Sequence, residues 1–563
     1  MLVMVAAACG SSSKNGGGKT GPATTGGIVG AEDPNAKPVM GGSLVYGLEA
    51  DTSGGWCLYK AQLAIGGIQV ARAIYDTLTA PGADGKIHPF LAESVTGSNN
   101  NQLWTIKLRP GIKFHDGSAL TAQVVKDNLD NYRQKNPLFI FVFPDVTAVT
   151  VTGPLTLTVT SKRPWSAFPW FLWSSARLGI MAEAQMNSPD CNTKLIGTGP
   201  FEKVSWQFGD KFVAKRNPSY WEKDKFGQQL PYLDQITFVP QEDGPKRLSS
   251  LEAGDFTMMH TSGPKQITKI RKDKAAGTLK DTESDKFTEV GYVMLNSCGG
   301  TGDNYPGCGQ ASPFSHLSAR QAFAYGVDRN VFNHLRNDDI LQQATGPFAP
   351  GVDGYLPDIP GAPNVDPVKA KAAAAQYKQE TGKTLTFTLN HTSDPDTTQD
   401  AILIKQMLRT NAGIDISLNP VSDQSTLINI AIGRKYDATL WRNHPGADDD
   451  TQYVWWHCSN APPKACDNPV NFGGFNDPVI NSDFDAARVS NDPAERTRLY
   501  QDINREFTKQ LWNLWAQYTL WTVAYKPTAH GVLGPPLPDG TAPFEGLPTG
   551  HPVSGLWCDG GKC

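Results

Sequence analysis

The second half of the chain alternates strand-forming and helix-forming segments. "LTFTLN" (385–390) and "IDISLN" (414–419) both place β-favouring residues at alternate positions. The stretch between them carries apolar residues through Ile402–Leu408 and stops at Gly413. A strand, a helix and a strand in this order form a βαβ unit, which requires a parallel sheet with helical cover. This part of the chain therefore predicts an α/β domain.

Two further helices in this half have clear starts. Asp366 and Asp492 are each followed by Pro, the pattern of an N-cap and the first helical position. The first of these helices is Ala-rich, and we expect it to end at Gly382. The second carries an apolar stripe at helical spacing: Leu499, Ile503, Phe507 and Leu511.

The first half is richer in β-forming segments. "SLVYGLEAD" (43–51) and "LWTIKLRPGIKF" (103–114) predict strands. "TAVTVTGPLTLTVT" (147–160) predicts a hairpin that turns at its Gly-Pro pair. Thr121 should cap a helix whose apolar face is formed by Val124, Val125, Leu129 and Tyr132. The difference between the two halves indicates separate domains.

Size and charge limit the possible functions. A chain of 563 residues exceeds what one hydrophobic core supports, so two or three domains are expected. The net charge of −4 supplies no basic excess with which to neutralise phosphates, which argues against nucleic-acid partners. No internal stretch reaches the roughly 18 apolar residues that span a bilayer.

Eight of the nine cysteines can pair, which is typical of an oxidising, exported location. Proximity favours three short loops and leaves one long-range pair, although eight cysteines allow 105 connectivities. The resulting predicted disulfides are Cys298–Cys308, Cys458–Cys466, Cys558–Cys563 and Cys57–Cys191. No cysteine or histidine pair has the spacing of a zinc site, so we expect no metal and no cofactor.

The ninth cysteine, Cys9, follows a short apolar run, "VAAAC" (5–9). This resembles a bacterial lipoprotein signal, in which the cysteine is lipidated and becomes the mature N-terminus. The charged region that should precede the run is missing, so either the true start lies upstream or the run is incidental. The Gly/Ser-rich segment 10–30 reads as a flexible tether, which favours the lipoprotein interpretation. We therefore expect residues 1–40 to be a truncated signal plus a tether.

The motifs of catalysis are missing from the sequence. No nucleophile elbow, zinc-protease motif, phosphate-binding loop or dinucleotide fingerprint occurs. Asp448, Asp449 and Asp450 could form a hard-cation site, but adjacent carboxylates point in different directions, and a solvated loop is the preferred interpretation. We expect a protein that is not an enzyme.

Several segments, in order, resemble the extracellular solute-binding proteins, family 5, of ABC importers, which include dipeptide-, oligopeptide- and nickel-binding proteins. The resemblance covers roughly residues 41–530. The segments that carry it are "WTIKLRPGIKFHDGSALTAQVV" (104–125), "GTGPFEKVSWQFGDKFVAKRNPSYW" (197–221), "LEAGDFTMM" (251–259), "SARQAFAYGVDRNVF" (318–332) and "DPAERTRLYQDINREF" (492–507).

The resemblance implies a bilobed α/β fold of the periplasmic-binding-protein type, in its large three-domain type II variant. A discontinuous first lobe would comprise residues 41–80, 194–290 and 520–563. Residues 81–193 would form an inserted β-containing domain, and residues 291–519 an α/β second lobe. The chain would cross between the lobes near Val290–Asn296 and Tyr518–Tyr525, which would form the hinge.

The ligand-binding stretch of the family corresponds to residues 436–456. The resemblance places Trp441 against a peptide backbone, with Arg442 and Asn443 beside it. An Asp that pairs with a free amino group in peptide binders is replaced by His444, which cannot form that ion pair; Asp448 could substitute. Arg442 could bind a carboxylate or phosphate, or form a surface salt bridge.

Other candidate positions lie outside this stretch. Trp56 could offer a ligand platform from the first lobe, and Asn296 is a candidate near the hinge. Trp455 and Trp456 are better explained as core residues than as ligand contacts.

Taken together, the resemblance implies a monomeric substrate-binding protein, held at the outer face of the cell membrane by a lipid anchor. It would capture a peptide or peptide-like solute and deliver it to the permease subunits of an ABC transporter. The alternative is a non-transporting envelope lipoprotein of the same fold that scaffolds or regulates cell-wall assembly; a hydrolase is disfavoured by the missing catalytic motifs.

Overall fold

The computed structural model describes residues 37–52, 54–61, 63–136, 139–298, 311–422, 424–443, 446–459 and 466–563. Its strands are β1 Ser43–Leu48, β2 Thr79–Pro81, β3 Ile87–Pro89, β4 Ala92–Ser98, β5 Leu103–Leu108, β6 Val146–Gly153, β7 Thr156–Ser161, β8 Phe201–Gln207, β9 Lys211–Arg216, β10 Gln235–Pro240, β11 Met258–Thr261, β12 Lys280–Ser284, β13 Val290–Leu295, β14 Thr388–Thr392, β15 Ser417–Val421, β16 Ala438–Asn443, β17 Asn513–Tyr518, β18 Trp521–Tyr525, β19 Ala529–His530 and β20 Trp557–Cys558.

Its helices are α1 Ile65–Ile74, α2 Ala122–Lys135, α3 Phe168–Phe171, α4 Glu183–Met186, α5 Gly244–Ala253, α6 Pro264–Ala275, α7 Leu317–Gly326, α8 Arg329–Asn337, α9 Pro367–Thr381, α10 Pro395–Ala412, α11 Gln424–Ile432, α12 Tyr453–Trp456, α13 Pro478–Val489 and α14 Pro493–Gln510. None of the described helices is both long and apolar enough to cross a membrane.

The strands separate into three main sheets. A seven-stranded sheet has the order β12-β18-β11-β1-β10-β9-β8, and a five-stranded sheet has the order β15-β14-β16-β13-β17. A four-stranded antiparallel sheet, β4-β5-β7-β6, belongs to the segment between β1 and β8. We call the parts built around the seven-stranded and five-stranded sheets the first and second lobes. The chain thus leaves the first sheet and returns to it twice; the domain boundaries given above stay predictions.

The βαβ prediction is confirmed. β14 and β15 are parallel neighbours, with Leu389 opposite Leu418, and α10 connects them. Both strands begin three residues later than the sequence pattern indicated, at Thr388 and Ser417. Helix α10 begins at Pro395, ahead of the predicted apolar stretch, and takes its cap from Asp394, whose side chain accepts from the amide of Thr397.

The capped helices also form as expected. Asp366, Thr121 and Asp492 each accept hydrogen bonds from first-turn amides of α9, α2 and α14. Gly382 ends α9 in the left-handed region, with φ of 72°. All four residues of the predicted stripe are buried, although Leu511 lies just past the end of α14 with φ of 54°.

Disulfide bonds join Cys57 to Cys191, Cys458 to Cys466 and Cys558 to Cys563, which are three of the four predicted pairs. Cys308 of the fourth pair lies outside the described residues, as does Cys9. The Cys57–Cys191 bond spans 134 residues and therefore ties the segment after β1 to the segment before β8.

Candidate functional site

The two lobes are joined by two chain crossings that contact one another. The first crossing is residues 285–289, between β12 and β13, and the second is residues 519–520, between β17 and β18. The amide of Thr519 donates to the carbonyl of Glu289 at 2.9 Å, and the hydroxyl of Thr288 donates to the carbonyl of Thr519 at 2.6 Å. The first crossing therefore precedes Val290, and the predicted hinge segment 290–296 is instead mainly strand β13.

A cavity of about 710 Å³ lies between the lobes, beside these crossings. Its charged lining from the first lobe is Glu49, Glu242, Asp243, Arg247 and Lys265. Its charged lining from the second lobe is Arg329, Arg336, Asp394, Asp396, Asp400 and Arg442. Carboxylates and cations occur on both sides, so the cavity suits a solute that carries both charges.

Strand direction explains why these residues meet. β1, β10 and β11 are parallel, and β14 is parallel to both β15 and β16. Glu49, Asp243 and Ser262 follow the carboxyl ends of the first set; Asp394 follows β14, and Asn443 ends β16. In open α/β sheets, ligands bind outside the carboxyl ends of the strands. The sequence analysis did not identify Glu49, Ser262 and Asp394 as cavity residues. Their positions just after predicted strands, taken with this rule, could have indicated it.

Arg442 links the lobes across the cavity. Its Nη1 donates to Ser262 Oγ at 2.7 Å, and its Nη2 lies 3.4 Å from Glu49 Oε1. Glu289, in the first crossing, is 3.5 Å away. Burial lowers the pKa of Arg442, but Glu289 and Glu49 raise it more, so the net shift is upward. The guanidinium is therefore a permanent cation in the cleft.

Below Arg442 the floor of the cleft is buried and polar. Trp521 Nε1 donates to Glu289 Oε2 at 3.1 Å, and Glu289 is 1 % exposed. His260 stacks on Trp521 at 5.3 Å and accepts from the amide of Glu49. Burial keeps the pKa of His260 well below its usual value, so this ring is neutral. Burial also lowers the pKa of Arg177 to about 10, against the opposing effect of Glu289.

A second charged group lies at the N-terminus of α10. Arg336 Nε contacts Asp400 Oδ1 at 2.5 Å, with both side chains mostly buried. Burial raises the pKa of Asp400 to about 6, although Arg336 opposes the shift. Asp396, which is exposed, also pairs with Arg336.

Aromatic side chains form one wall of the cavity. Trp441 and Trp455 are half-buried and both contact Phe472, at ring distances of 5.4 and 6.1 Å. Tyr292 and Trp515 border the same cavity. Trp441 thus borders the cavity, and its contact with a ligand stays a prediction. Trp455 lines the cavity although the sequence favoured a core position, whereas Trp456 is a core residue, 3 % exposed.

Other predicted positions lie elsewhere. Trp56 is fully buried against Trp206 and Phe212, because the Cys57–Cys191 loop packs it under the first sheet. It is not a ligand platform.

Asn296 is also structural: its amide donates to the carbonyls of Tyr436 and Arg434, which fixes the end of β13. Asn443 borders the cavity, but its amide donates to Gln452. His444 lies outside the described residues.

The Asp448–Asp450 stretch is not a solvated loop. Asp448 pairs with Arg496 at 3.0 Å and caps a short turn. Asp449 is 4 % exposed, and Asp450 is fully buried against Arg488. Within the described residues no cluster of His, Cys, Asp and Glu could hold a metal ion. Asp448 is thus held by Arg496 and is not part of the cavity lining.

Two lobes, two hydrogen-bonded crossings and a charged cavity between them define a two-lobed solute-binding protein. The family model for bacterial extracellular solute-binding proteins, family 5, matches residues 86–464. The chain belongs to this family, whose members are exported, bind peptides or small solutes for ABC permeases and are not enzymes.

Several relatives are known. The glutathione-binding protein GsiB of Salmonella paratyphi A is 26% identical over 444 residues, which cover 77% of this chain and 81% of that protein. The Escherichia coli K12 GsiB protein is 26% identical over 446 residues, with the same coverage.

Solved structures share the fold. The binding protein AgaA from A. tumefaciens R10, in complex with agropinic acid, has a TM-score of 0.77 at 24% identity, and covers 92% of this chain and 99% of that one. The oligopeptide-binding protein AppA from Bacillus subtilis, in complex with a nonapeptide, has a TM-score of 0.76 at 20% identity, and covers 93% and 100%.

Proposed function

We propose that this protein captures a small zwitterionic solute derived from amino acids, a short peptide or a peptide-like conjugate, and delivers it to an ABC permease. The observation that carries the proposal is the cavity of about 710 Å³ lined by carboxylates and cations from both lobes. Its size falls within the roughly 300–1,000 Å³ of small-molecule sites. An open cavity of this size does not favour the alternative of a scaffold with a filled cleft.

The relatives agree with this solute class. GsiB is named for glutathione, AgaA was solved with agropinic acid, and AppA with a nonapeptide. A further similar structure, DppA from Helicobacter pylori, holds the peptide STSA. Because the amine-binding Asp of peptide binders is replaced by His444, we expect solutes whose amino group is modified or held elsewhere to bind best.

A ligand screen by thermal shift and calorimetry tests the proposal. The panel should contain glutathione, di- to tetrapeptides, sugar–amino acid conjugates and nickel–histidine. A true solute at ~100 times its Kd should stabilise the protein by about 2.7 kcal/mol. The variant Trp441→Ala should lose this gain, whereas Phe208→Ala, which removes an exposed ring away from the cavity, should keep it. No shift with any class at millimolar concentration would contradict the proposal.

We also propose that Cys9 carries a lipid anchor and that the protein acts as a monomer at the outer face of the membrane. The "VAAAC" run and the Gly/Ser-rich segment after it support this. Metabolic labelling with an alkyne fatty acid, in cells that express the chain behind a complete signal, should label the parent protein and not Cys9→Ala. Equal labelling of both would contradict it.

A further inference from the structure

Arg177 borders the interlobe cavity and follows a turn with an uncommon backbone. Ser174, Ser175 and Ala176, which precede it, have φ of 44°, 54° and 62°. Residues other than glycine rarely adopt this left-handed region, and three in succession are costly. Strained backbone of this kind clusters at ligand sites, where the surrounding structure enforces it. The turn places Arg177 in the cavity lining.

The guanidinium of Arg177 is only partly used by the protein. Its Nε donates to the carbonyl of Leu63 at 3.1 Å. Among the described residues, no group accepts a hydrogen bond from Nη1 or Nη2, and no carboxylate forms an ion pair with them. Neither atom is among the polar atoms that the protein encloses without a partner. Because Arg177 borders the cavity, both groups are accessible to a molecule bound there.

The other arginines of the cavity lining are engaged differently. Arg336 and Arg442 form ion pairs with carboxylates of the protein. Arg247 and Arg329 donate through Nη1 to main-chain carbonyls. In the described part of the lining, Arg177 is thus the arginine whose two Nη groups are left for a ligand.

The charge of Arg177 is also poorly balanced. Glu289 attracts it, but this carboxylate lies 3.5 Å from Arg442 and accepts from Trp521 Nε1. Burial outweighs the effect of Glu289 and lowers the pKa of Arg177 to about 10. A cation that burial disfavours in this way gains strongly from an anion brought within hydrogen-bonding distance.

We propose that Arg177 binds a carboxylate of the solute through Nη1 and Nη2, and so selects solutes with a free carboxylate at this position. The planar fork of a guanidinium matches the two oxygens of a carboxylate, whereas a carboxamide presents one oxygen and a competing donor. The proposal rests on the proposed function and names the group of the solute that the site recognises.

Matched acids and amides test the selection. Tri-alanine and glutathione are titrated by calorimetry beside tri-alanine amide and each single amide of glutathione. Every acid that binds should do so at least ~10-fold more tightly than one of its amides, because a hydrogen bond between charged groups is lost. Arg177→Gln should remove this difference by weakening the acid alone. Equal binding of an acid and all its amides, or a difference that survives the substitution, overturns the proposal.

Two further variants separate binding from structure. Arg109→Gln is the matched control: Arg109 is also partly buried and its Nε donates to the carbonyl of Phe90 at 2.7 Å, but it does not border the cavity. It should keep the full preference for acids. Arg177→Lys keeps the charge without the planar fork and should retain part of the preference. A complete preference in Arg177→Lys would contradict bidentate binding.

The stability of the unliganded variants gives another readout. Arg177→Gln should melt no lower than Arg109→Gln, because removing an arginine without an ion pair leaves no buried carboxylate unpaired. A lower Tm for Arg177→Gln would show that the fold itself requires the guanidinium, which overturns the proposal.

A probe that needs no peptide distinguishes this inference from the proposed function. Phenylglyoxal modification of Arg177 in the full chain is followed by peptide mass spectrometry, with sodium acetate, acetamide or sodium chloride added at matched ionic strength. Acetate should slow the modification of Arg177 and not that of Arg109, whereas acetamide and chloride should not. Equal rates with acetate and chloride overturn the carboxylate site, even where peptides bind. Protection by acetate without any peptide binding supports the site while the proposed function fails.

Discussion

Arg442, on strand β16 of the second lobe, donates a hydrogen bond of 2.7 Å to Ser262, which follows strand β11 of the first lobe. Arg442 also pairs with Glu49, 393 residues away in sequence. Both contacts cross the cleft beside the hinge. These contacts therefore favour the closed arrangement of the lobes. Because they already stabilise closure, a bound solute has to contribute less free energy to it than it would without them.

Arg442→Gln should shift the unliganded protein toward open forms. Because the side chain of Arg442 is 40% exposed, the lost contacts are worth only about 1 kcal/mol, which corresponds to a loss of affinity of up to ~5-fold. The radius of gyration without ligand, measured by small-angle X-ray scattering, should rise, and calorimetry gives the affinity. Ser262→Ala removes only one contact and should have a smaller effect. An unchanged radius in Arg442→Gln would show that these contacts do not hold the lobes.

The buried ion pair between Asp450 and Arg488 contacts Trp165, which belongs to the segment that carries the four-stranded sheet. Arg488 lies 3.5 Å from the ring centroid of Tyr453, and Asp450 accepts from Trp165 Nε1 at 2.8 Å. Both charged side chains are at most 2% exposed. Arg488→Met should therefore cost about 3–5 kcal/mol, because it leaves a buried carboxylate unpaired.

Urea denaturation measures this loss, and the double variant Asp450→Leu/Arg488→Met is the control. The double variant should recover much of the stability, since removing both charges leaves none unpaired. If Arg488→Met loses less than ~1 kcal/mol of its free energy of unfolding, Asp450 and Arg488 do not form a buried ion pair.

Glu222 makes stability depend on pH. Burial, with a contribution from Asp76, raises the pKa of Glu222 to about 8, while the Tyr220 hydroxyl donates to it. The folded state thus binds a proton that the unfolded state releases near pH 4.5, so stability falls as pH rises from there through 8. The change is on the order of 1.4 kcal/mol for each unit of pKa shift.

Glu222→Gln should flatten the decline in Tm between pH 5 and 9, because its side chain cannot ionise. Glu183→Gln, at an exposed position, should leave the decline unchanged. A slope in Glu222→Gln equal to that of the parent protein would assign the pH dependence to other groups.

The Cys57–Cys191 bond should contribute more to stability than the terminal bond. It closes a loop with a sequence separation of 134, against 5 for Cys558–Cys563. In the chain-entropy model, Cys57→Ser/Cys191→Ser should lose about 2–5 kcal/mol, and the terminal pair less. Chemical denaturation of the two double variants compares them; an equal loss would contradict the loop-length argument.

The local elements and the family could be predicted from the order of residues alone. The caps at Asp366 and Asp492 and the hairpin after residue 146 depend on interactions within a few residues, so their patterns can be read directly. The βαβ unit pairs Leu389 with the distant Leu418, but the strand–helix–strand order of its segments is itself enough to predict a parallel pair. The cysteine spacing indicated three pairs that the structure forms.

The residues that form the site are set by how the two lobes pack together. Trp441 and Arg442 line the cavity, whereas Trp56 is a core residue and Asp448 pairs with Arg496. Such outcomes depend on packing between segments far apart in sequence, as the Glu49–Arg442 pair shows. An aromatic or a carboxylate looks the same in sequence whether it is buried or facing a ligand, because burial is a property of the assembled lobes and not of the residue.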